Sequence, residues 1–320
     1  MGKDIVIVLI VTYNRKKLLT KSVFATLKQS YKINKIIVFD NHSIDGTERL
    51  FENNGIFSPK KIKNIDYVRN SKNVGGAGGF YLGMKYALKN YKFNWLWIYD
   101  DDTIPENGAL NYLIQDTKKI KTKISFMTSS IISPKHKIMN VPSIDERTID
   151  GNYPNWSSYL DKGMIKIKRA TFVSLLINKE AISKMGLPIK EYFIWGDDTE
   201  YTLRLTTFFA PAYLSGTSKA FHLRKETGSL TIKNENNKSR IKMFHFLYRN
   251  SLLNDYLYRS KKGLIKSFIN SILFGFSCFF SPGHHRFLKF LIVEKGIFEF
   301  LFFNKKILRN RFQIPIKKQI

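Results

Sequence analysis

The most constraining feature of the sequence is the apolar, aromatic run over residues 95–102, which ends in three consecutive aspartates. Such a run is typical of a buried strand, and three adjacent carboxylates repel one another unless a positive charge lies among them. Carboxylates at the carboxyl end of a strand suit a hard divalent cation such as Mg²⁺ or Mn²⁺, which also binds phosphate oxygens. The alternative is a solvated acidic turn, with Asp102 and Thr103 near the cap of the next helix.

Short β-branched runs alternate with helical segments through the first two thirds of the chain. Strands are expected at residues 5–11, 36–39, 65–68, 95–99, 124–130, 170–177 and 212–214. Helices are expected at residues 15–29, 45–53 and 107–118, after the glycine-rich segment to about 90, and up to about 208. This alternation predicts an α/β fold with a parallel or mostly parallel, doubly wound sheet. In such a sheet, ligands bind beyond the carboxyl ends of the strands.

The chain is strongly basic, with 53 Lys and Arg against 25 Asp and Glu and a formal net charge of +28. This balance points to a polyanionic partner, which is nucleic acid, an anionic membrane surface or a phosphorylated substrate. Residues 219–320 hold 21 of the basic and five of the acidic residues, so +16 of the charge lies in the last third. We therefore expect an α/β domain over residues 1–232 and a basic, helical region over residues 233–320.

Two apolar stretches in this last third, 265–280 and 287–303, contain charged residues. Neither supplies the ~20 uninterrupted apolar residues that a transmembrane helix needs. Basic, aromatic-rich helices suit the membrane interface instead. Ordinary helices that pack on the rest of the protein and expose a solvated basic face are the alternative.

The single cysteine and the N-terminus both bear on the compartment. Cys278 alone excludes an internal disulfide and a cysteine-based zinc site, and it fits a reducing compartment. The apolar run 5–11 is short for a signal peptide, and Asn14 and Arg15 follow it in place of a small-residue cleavage site. We expect this run to be the first strand of a cytoplasmic protein.

The segment 73–79 has four glycines in its last five residues. It follows the third strand and not the first, so it is not a dinucleotide-binding fingerprint. Glycines at this point let the backbone approach a sugar or a phosphate closely. A tight turn from strand to helix is the alternative, but it would not need four glycines.

Four segments in order resemble inverting family-2 glycosyltransferases of the GT-A fold. They are Val11 to Arg15, Asp40 to Thr47, residues 73–80 and Asp100 to Asp102. The resemblance covers roughly residues 4–225, and the ordered series is specific where each motif alone is weak. The glycine-rich segment, the triple Asp and the later Trp-Gly-Asp-Asp-Thr-Glu are similar to the galactofuranosyltransferase branch and its rhamnosyltransferase neighbours. The resemblance implies a GT-A catalytic domain with a mixed, mostly parallel sheet flanked by helices.

The resemblance also implies the chemistry of the site. In this branch the second Asp of an Asp-Asp-x-Glu motif is the catalytic base, which is Asp198 here, and a later histidine completes the metal site. We therefore expect Mn²⁺ or Mg²⁺ to be held by Asp100, Asp102 and His222. A cation there would stabilise the departing nucleoside diphosphate. A carboxylate suits the deprotonation of an acceptor hydroxyl as that hydroxyl attacks the anomeric carbon.

Three acidic residues crowd the start of the helix that carries the expected base. Asp197, Asp198 and Glu200 are close enough for like charges to raise one pKa toward a value useful for a base. Pairing of these charges with the helix dipole is the alternative. Trp195 favours a site because sugars stack on aromatic faces, although it could equally be a core residue. For His222 taken alone, a structural histidine is the alternative. Contacts to the acceptor are assigned to Trp195, Asp197 and Glu200.

The donor site is assigned by the same resemblance. Contacts to uracil and ribose fall on Thr12, Tyr13, Arg15 and Asp40. Contacts to the donor sugar, its ribose or the diphosphate fall on Asn73, Gly75, Gly76, Asp100 and Asp101. The alternatives are that Asp40 only forms a turn and that Arg15 only begins a solvated helix.

These assignments predict a metal-dependent enzyme that moves a sugar onto a lipid-linked or surface-polysaccharide acceptor, such as a glycan on polyprenyl diphosphate. Galactofuranose from UDP-galactofuranose is the first candidate, and rhamnose from dTDP-rhamnose is the alternative. The enzyme would lie peripherally on the inner face of the cell membrane. A basic nucleic-acid-binding protein and a nucleotidyltransferase are alternatives of other classes. Because the basic excess lies in the tail and no recognition motif occurs, no nucleic-acid partner is expected.

Overall fold

The computed structural model describes residues 4–148, 152–224, 231–305 and 308. The chain divides into two compact units, one made of Met1–Lys190 with Tyr201–Thr227 and the other of Glu191–Glu200 with Gly228–Ile320. The second unit therefore takes in the short segment that carries the expected base, Asp198. The sequence analysis placed this segment in the domain over residues 1–232, because its local pattern does not link it to the later helices.

Within the described residues, the first unit contains a mixed sheet of eleven strands. The strands are β1 (Val6–Thr12), β2 (Lys35–Asp40), β3 (Ile65–Arg69), β4 (Trp95–Asp100), β5 (Thr103–Pro105), β6 (Phe126–Ile132), β7 (Ile138–Met139), β8 (Ser143–Ile144), β9 (Met164–Arg169), β10 (Leu175–Asn178) and β11 (Ala212–His222). Their order is β3-β2-β1-β4-β10-β6-β11-β9-β8, with β5 beside β11 and β7 beside β6. The block β3-β2-β1-β4 is parallel, and so is the pair β6 and β11.

Helices flank this sheet and make up most of the second unit. They are α1 (Lys16–Leu27), α2 (Gly75–Asn90), α3 (Ala109–Lys119), α4 (Lys179–Met185), α5 (Asp197–Phe208), α6 (Lys238–Tyr258), α7 (Lys261–Phe280) and α8 (Arg286–Phe302). The expected helix over residues 45–53 is reduced to one short 3₁₀ turn, Glu48–Leu50. By length and composition alone, α7 could cross a membrane, which the sequence analysis did not expect.

The strands of the parallel block are buried on both faces of the sheet. Every residue of β1 is buried. Alternate residues of this strand belong to two different cores, Val6 and Val8 to one and Ile7 and Leu9 to the other. This is why the strand is a continuous apolar run and not an alternating one.

Two strand predictions differ from the structure. The run 170–177 was expected as one strand, but β9 ends at Arg169 and β10 begins at Leu175. Ser174 between them has φ of 56°, so the chain turns there, and β9 pairs with β11 while β10 pairs with β4 and β6. The expected strand 212–214 extends to His222 as β11. An irregularity in register after Ser215 interrupts the apolar pattern and hides this extension.

The glycine-rich segment lies mostly inside α2 and is not a loop before that helix. An added Cβ at Gly79 would lie 2.7 Å from Cγ1 of Val11, and one at Gly83 would lie 2.6 Å from Cδ1 of Leu9. Glycine at these two positions therefore allows α2 to pack closely on β1. Only Gly75 needs the left-handed conformation, with φ of 75°. At Gly76, no described atom lies within 4 Å of the added Cβ.

We predict that Gly83→Ala destabilises the protein by about 1–3 kcal/mol, because the new methyl overpacks a fully buried contact with Leu9. Gly76→Ala is the matched control, since the same change in the same helix meets open space. The control is expected to be neutral or to stabilise by up to ~1 kcal/mol. Urea unfolding of both variants measures the difference, and equal stabilities would contradict the packing argument.

Candidate active site

The carboxyl ends of β1, β2 and β4 meet at one edge of the sheet. In the parallel registers, Thr12 lies opposite Asp40, and Val11 lies opposite Asp100. Residues that follow these strands are therefore brought together although they are far apart in sequence. This is the edge at which open α/β sheets bind ligands.

Asp101 and Asp102 are both buried at this edge, and each has a positively charged or donating partner. Thr12 Oγ1 donates to Asp101 Oδ2 at 2.7 Å. Arg15 Nη1 lies 2.7 Å from Asp102 Oδ2 and 3.3 Å from Asp101 Oδ1. The Arg15 side chain is 51% exposed, so part of it faces solvent beside the two carboxylates. Burial raises the pKa of Asp101 to about 6, against the opposing effects of Arg15 and Thr12.

His222 reaches the acidic cluster through the backbone of β11. It pairs with Thr103 of β5, and the N–H of Leu223 donates to the carbonyl of Asp102 at 2.8 Å. As a result, His222 Nε2 lies 3.2 Å from Asp102 Oδ1. Burial alone would raise the pKa of Asp102, but His222 and Arg15 hold it below its ordinary value.

Asn140 fixes the tautomer of this histidine. His222 Nδ1 lies 2.8 Å from Asn140 Oδ1, and an amide oxygen only accepts hydrogen bonds. In the neutral ring, Nδ1 therefore carries the proton and the lone pair of Nε2 lies on the side of Asp102, whereas the charged ring donates from both nitrogens. Sequence reasoning missed Asn140, because no local pattern separates it from the other asparagines in residues 133–159.

The donor set at this edge suits a hard divalent cation. Asp102 Oδ1 is buried 3.2 Å from Nε2 of His222, and a neutral His222 leaves it without a hydrogen-bond partner among the described residues. One carboxylate oxygen and one imidazole nitrogen are ligands that Mn²⁺ and Mg²⁺ accept when phosphate oxygens and water complete the shell. The described part of the chain holds no ready group of three or more His, Cys, Asp or Glu side chains around one point. The expected third ligand, Asp100, ends β4 opposite Val11.

Asp40 is completely buried, and both its carboxylate oxygens are used within the protein. Oδ1 accepts from the N–H of Ser43 at 2.8 Å, and the hydroxyl of Tyr67 donates to Oδ2. These contacts make Asp40 a turn former, while its contact with a nucleotide stays a prediction. Tyr13 is 42% exposed at the same edge, so its ring is accessible to a ligand.

Asn41 organises the start of α2. Its amide nitrogen donates to Asn73 Oδ1 at 2.9 Å and to the carbonyl of Gly75 at 2.8 Å, and its oxygen accepts from the N–H of Val74 at 3.0 Å. Asn73 Oδ1 also accepts from the N–H of Gly75 at 2.8 Å. The sequence analysis quoted Asn41 within a motif and gave it no role. Its three bonds fix the backbone of the residues that the resemblance assigns to the donor.

The predicted acceptor residues belong to the second unit. Three residues just before α5 have positive φ, with values of 64° at Phe193, 62° at Trp195 and 88° at Gly196. Asn250 of α6 donates from Nδ2 to the carbonyls of Tyr192, Ile194 and Trp195, at 2.9, 3.0 and 2.7 Å. Positive φ is unfavourable for Phe and Trp, so the conformation depends on these bonds. Sequence reasoning missed Asn250, because it is one of many polar and charged residues in α6 and no local pattern distinguishes it.

Asn254 and Phe244 complete this arrangement. Asn254 Nδ2 donates to the carbonyl of Gly196 at 3.0 Å, and its oxygen accepts from the hydroxyl of Tyr192 at 2.7 Å. The Trp195 ring is half-buried, with its centroid 4.9 Å from that of Phe244. One face of the tryptophan is therefore used in packing, and its contact with an acceptor stays a prediction.

The three acids at the start of α5 differ in exposure. Asp197 and Glu200 are buried, whereas Asp198 is partly exposed. Glu200 Oε1 accepts from the hydroxyl of Tyr258 at 2.8 Å, so a contact of Glu200 with an acceptor would compete with this bond. Burial and the neighbouring charge of Asp198 raise the pKa of Asp197 to about 8. Asp197 is therefore protonated at neutral pH, and Asp198 is the more accessible carboxyl group of the motif.

The fold is shared with solved glycosyltransferase structures. The crystal structure of GalNAc-T7 with UDP, GalNAc and Mn²⁺ matches with a TM-score of 0.60 and 14% identity, over 99% of this chain and 59% of that one. S. aureus TarS 1–349 matches with a TM-score of 0.52 and 12% identity, over 96% and 92% of the two chains. The chain has the GT-A fold of these structures. Residues 7–185 match Glycosyl transferase family 2, and the chain belongs to that family.

Two curated relatives of the chain are galactofuranosyltransferases. The chain is 26% identical over 206 residues to the galactofuranosyltransferase GlfT1 of Mycolicibacterium smegmatis, covering 63% of this chain and 65% of the relative. It is also 26% identical over 204 residues to GlfT1 of Mycobacterium tuberculosis, covering 62% and 64%. The match therefore spans under two thirds of the length of these relatives. The resemblance to family 2 and to its galactofuranosyltransferases is confirmed.

We predict that Asp197→Asn changes the pH dependence of stability. An unfolded Asp loses its proton near pH ~3.9, whereas the folded protein keeps the Asp197 proton to about pH 8. Between these values the folded state binds more protons, so stability falls as pH rises. The variant lacks this proton, so its stability relative to the wild type rises from pH 5 to pH 8, by ~1 kcal/mol or more. Urea unfolding at both pH values measures this, and parallel curves would contradict it.

Proposed function

We propose that this protein is a metal-dependent, inverting glycosyltransferase that transfers galactofuranose from UDP-galactofuranose. The family and the fold support glycosyl transfer, and the similarity to two mycobacterial galactofuranosyltransferases supports the sugar. The observation that carries the metal dependence is the buried Oδ1 of Asp102 lying 3.2 Å from Nε2 of His222, because a neutral His222 leaves both atoms free to bind a cation.

In this proposal the donor binds at the carboxyl edge of β1, β2 and β4. Thr12, Tyr13, Arg15 and Asp40 hold the uridine part, as the family resemblance implies. Arg15 has a half-exposed side chain whose guanidinium balances Asp101 and Asp102, and in this proposal it also binds phosphate oxygens. Asn73, Gly75 and Gly76 approach the donor sugar, and the open space above Gly76 leaves room for it.

Asp102 and His222 would hold Mn²⁺ or Mg²⁺, with Asp100 as the third protein ligand that the resemblance implies. When bound, the cation neutralises the charge that develops on the departing diphosphate. A shell with few protein ligands fits this role, because Mg²⁺-type ions are commonly completed by substrate phosphates and water. Asn140 orients His222 because its Oδ1 accepts a hydrogen bond from Nδ1–H of the histidine.

We predict that Asn140→Ala weakens Mn²⁺ binding about tenfold to hundredfold, since the histidine loses its orienting partner. Asn140→Asp is the matched control, because the carboxylate keeps an acceptor for Nδ1 and should retain the wild-type affinity or exceed it. Isothermal titration with Mn²⁺ in the presence of UDP measures both. Unchanged affinity in the alanine variant would contradict the assignment of His222 as a ligand.

Asp198 is the proposed base. It removes the proton of the acceptor hydroxyl as the oxygen attacks the anomeric carbon and the bond to the diphosphate breaks. Its partial exposure, in contrast to that of Asp197 and Glu200, supports this role. Protonated Asp197 beside it removes a like charge that would otherwise be buried at the start of α5.

We predict that Asp198→Asn lowers kcat by about 10²–10⁴-fold while the Kd for UDP stays within about twofold, because the amide cannot accept a proton. Asp161→Asn, an exposed acid remote in sequence from every assigned residue, is the control and should leave both quantities unchanged. Transfer and UDP binding are measured on the same preparations. Full transfer by Asp198→Asn would rule out the base.

The proposed acceptor is a glycan on a polyprenyl diphosphate lipid, and the proposed location is the inner face of the cell membrane. The basic last third of the chain supports both. A screen of UDP-galactofuranose, dTDP-rhamnose and UDP-hexopyranoses for Mn²⁺-dependent donor hydrolysis tests the sugar. Turnover of dTDP-rhamnose alone would replace the proposed donor by the rhamnosyl one.

A further inference from the structure

Helices α7 and α8 each expose large apolar side chains along one face. On α7 these residues are Ile265, Ile269, Leu273, Phe276, Phe279 and Phe280. On α8 they are Phe287, Leu291, Phe298, Leu301 and Phe302. Spacings of three and four residues place each set on one side of its helix. Monomeric soluble proteins rarely expose a contiguous apolar surface of this size.

This exposed face is distinct from the one that packs inside the second unit. On α7, the buried residues are Gly275 and Cys278, and an added Cβ at Gly275 would lie 3.4 Å from Cγ1 of Val293 on α8. On the packed side, Phe268 lies with its ring centroid 6.4 Å from that of Phe300. Of the exposed set, Phe276 and Phe279 also contact Phe290 of α8, with ring centroids 5.2 and 6.1 Å apart, so they lie at the border between the packed and the exposed sides. Burial on one side only is the arrangement of a helix that lies in an interface.

A cavity of about 660 Å³ opens where the two exposed faces meet. The faces join at the turn between α7 and α8, where the rings of Phe279 and Phe287 have centroids 6.3 Å apart. Apolar walls and basic groups share the cavity, which is lined by Lys238, Phe279, Phe280, His285, Arg286, Phe287 and Leu288. Cations next to aromatic and aliphatic walls match a phosphate headgroup attached to acyl chains.

The charge around α7 and the α7–α8 turn is positive, and the two acidic residues of α8, Glu294 and Glu299, lie further along that helix. Residues 256–293 contain six Lys and Arg and no Asp or Glu. Lys261, Lys262 and Lys266 lie at the start of α7, and Arg286 begins α8 at the other end. A second copy of this surface would bring like charges together, and a nucleic acid would leave the isoleucine and leucine side chains exposed. An anionic bilayer satisfies both the charge and the apolar face.

We propose that the exposed faces of α7 and α8 form a docking surface for a bilayer containing anionic phospholipid. The cavity at the α7–α8 turn holds a lipid phosphate between Lys238 and Arg286, and Phe280 and Phe287 enter the acyl boundary. This inference rests on the proposed function, because it names the surface that brings the enzyme to a lipid-linked acceptor. Its test needs neither donor nor acceptor, so the two proposals fail separately.

The experiment is co-sedimentation of the purified full chain with vesicles. The vesicles are phosphatidylcholine alone or phosphatidylcholine with about one quarter phosphatidylglycerol. We expect the wild type to bind the anionic vesicles at least about tenfold more tightly. Phe280→Ser with Phe287→Ser should lower this binding about tenfold, and Lys238→Gln with Arg286→Gln should do so by a similar factor. Phe280 is 74% exposed and Phe287 60%, so the fold should survive, and circular dichroism checks this.

Two control pairs in the first unit match these changes. Ile138→Ser with Val141→Ser removes an exposed apolar pair, and Lys118→Gln with Lys121→Gln removes two exposed charges. Both should bind within about twofold of the wild type. Equal binding to neutral vesicles, or equal losses in the controls, would overturn the proposal. Retention of the wild type by the vesicles after alkaline carbonate would show a spanning α7 and would overturn it as well. Should the phenylalanine pair fail to fold, Leu273→Gln replaces it as a test of the same face.

Discussion

Two buried carboxylates, Asp101 and Asp102, require compensating charge, and their partners come from distant parts of the first unit. Burying a carboxylate without compensating charge would destabilise the folded state. Arg15 supplies the positive charge from the start of α1, and Thr12 supplies a hydrogen bond from the end of β1. His222 comes from the far end of β11. These partners join three distant parts of the chain at one edge of the sheet. Asp102 Oδ1, which lies beside Nε2 of His222, is the oxygen that we propose as a cation ligand.

A second constraint holds the segment before α5. Phe193 and Trp195 adopt a backbone conformation that costs roughly 1–2 kcal/mol for a residue with a side chain of this kind. Asn250 stabilises this conformation through three carbonyl groups, and Asn254 contributes a fourth. Strain of this kind persists only where the surroundings determine it fully. The segment therefore enters α5 in a fixed direction, which also fixes the backbone of the acidic residues in the first turn of that helix.

The two units divide the proposed work between them. The residues that we propose to bind the donor and the cation belong to the first unit. Asp198 and the exposed faces of α7 and α8 belong to the second. In the proposed enzyme, the unit that carries the base is also the unit that binds the bilayer supplying the acceptor. The concentration of positive charge in the last third of the chain fits this division, because both a lipid surface and a diphosphate lipid are anionic.

The order of motifs in the sequence determined the fold class and the family. Continuous apolar runs at β1, β2 and β4 required a sheet buried on both faces, and parallel pairing then brought their carboxyl ends together. The position of the aspartate cluster followed from the end of one strand, and the family resemblance added Thr12, Arg15 and His222. Each of these inferences uses local pattern or a rule about one sheet edge.

Only the tertiary structure decided which residues support the site. The bond from His222 to Asn140 spans 82 positions, and those from Asn250 to the segment before α5 span 55–58. The tertiary structure also places glycines of α2 against Val11 and Leu9, and it groups Glu191–Glu200 with the second unit. These outcomes depend on which side chains meet after long loops close. Periodicity and turn chemistry report only on neighbours within a few residues, so the sequence carries no local sign of them.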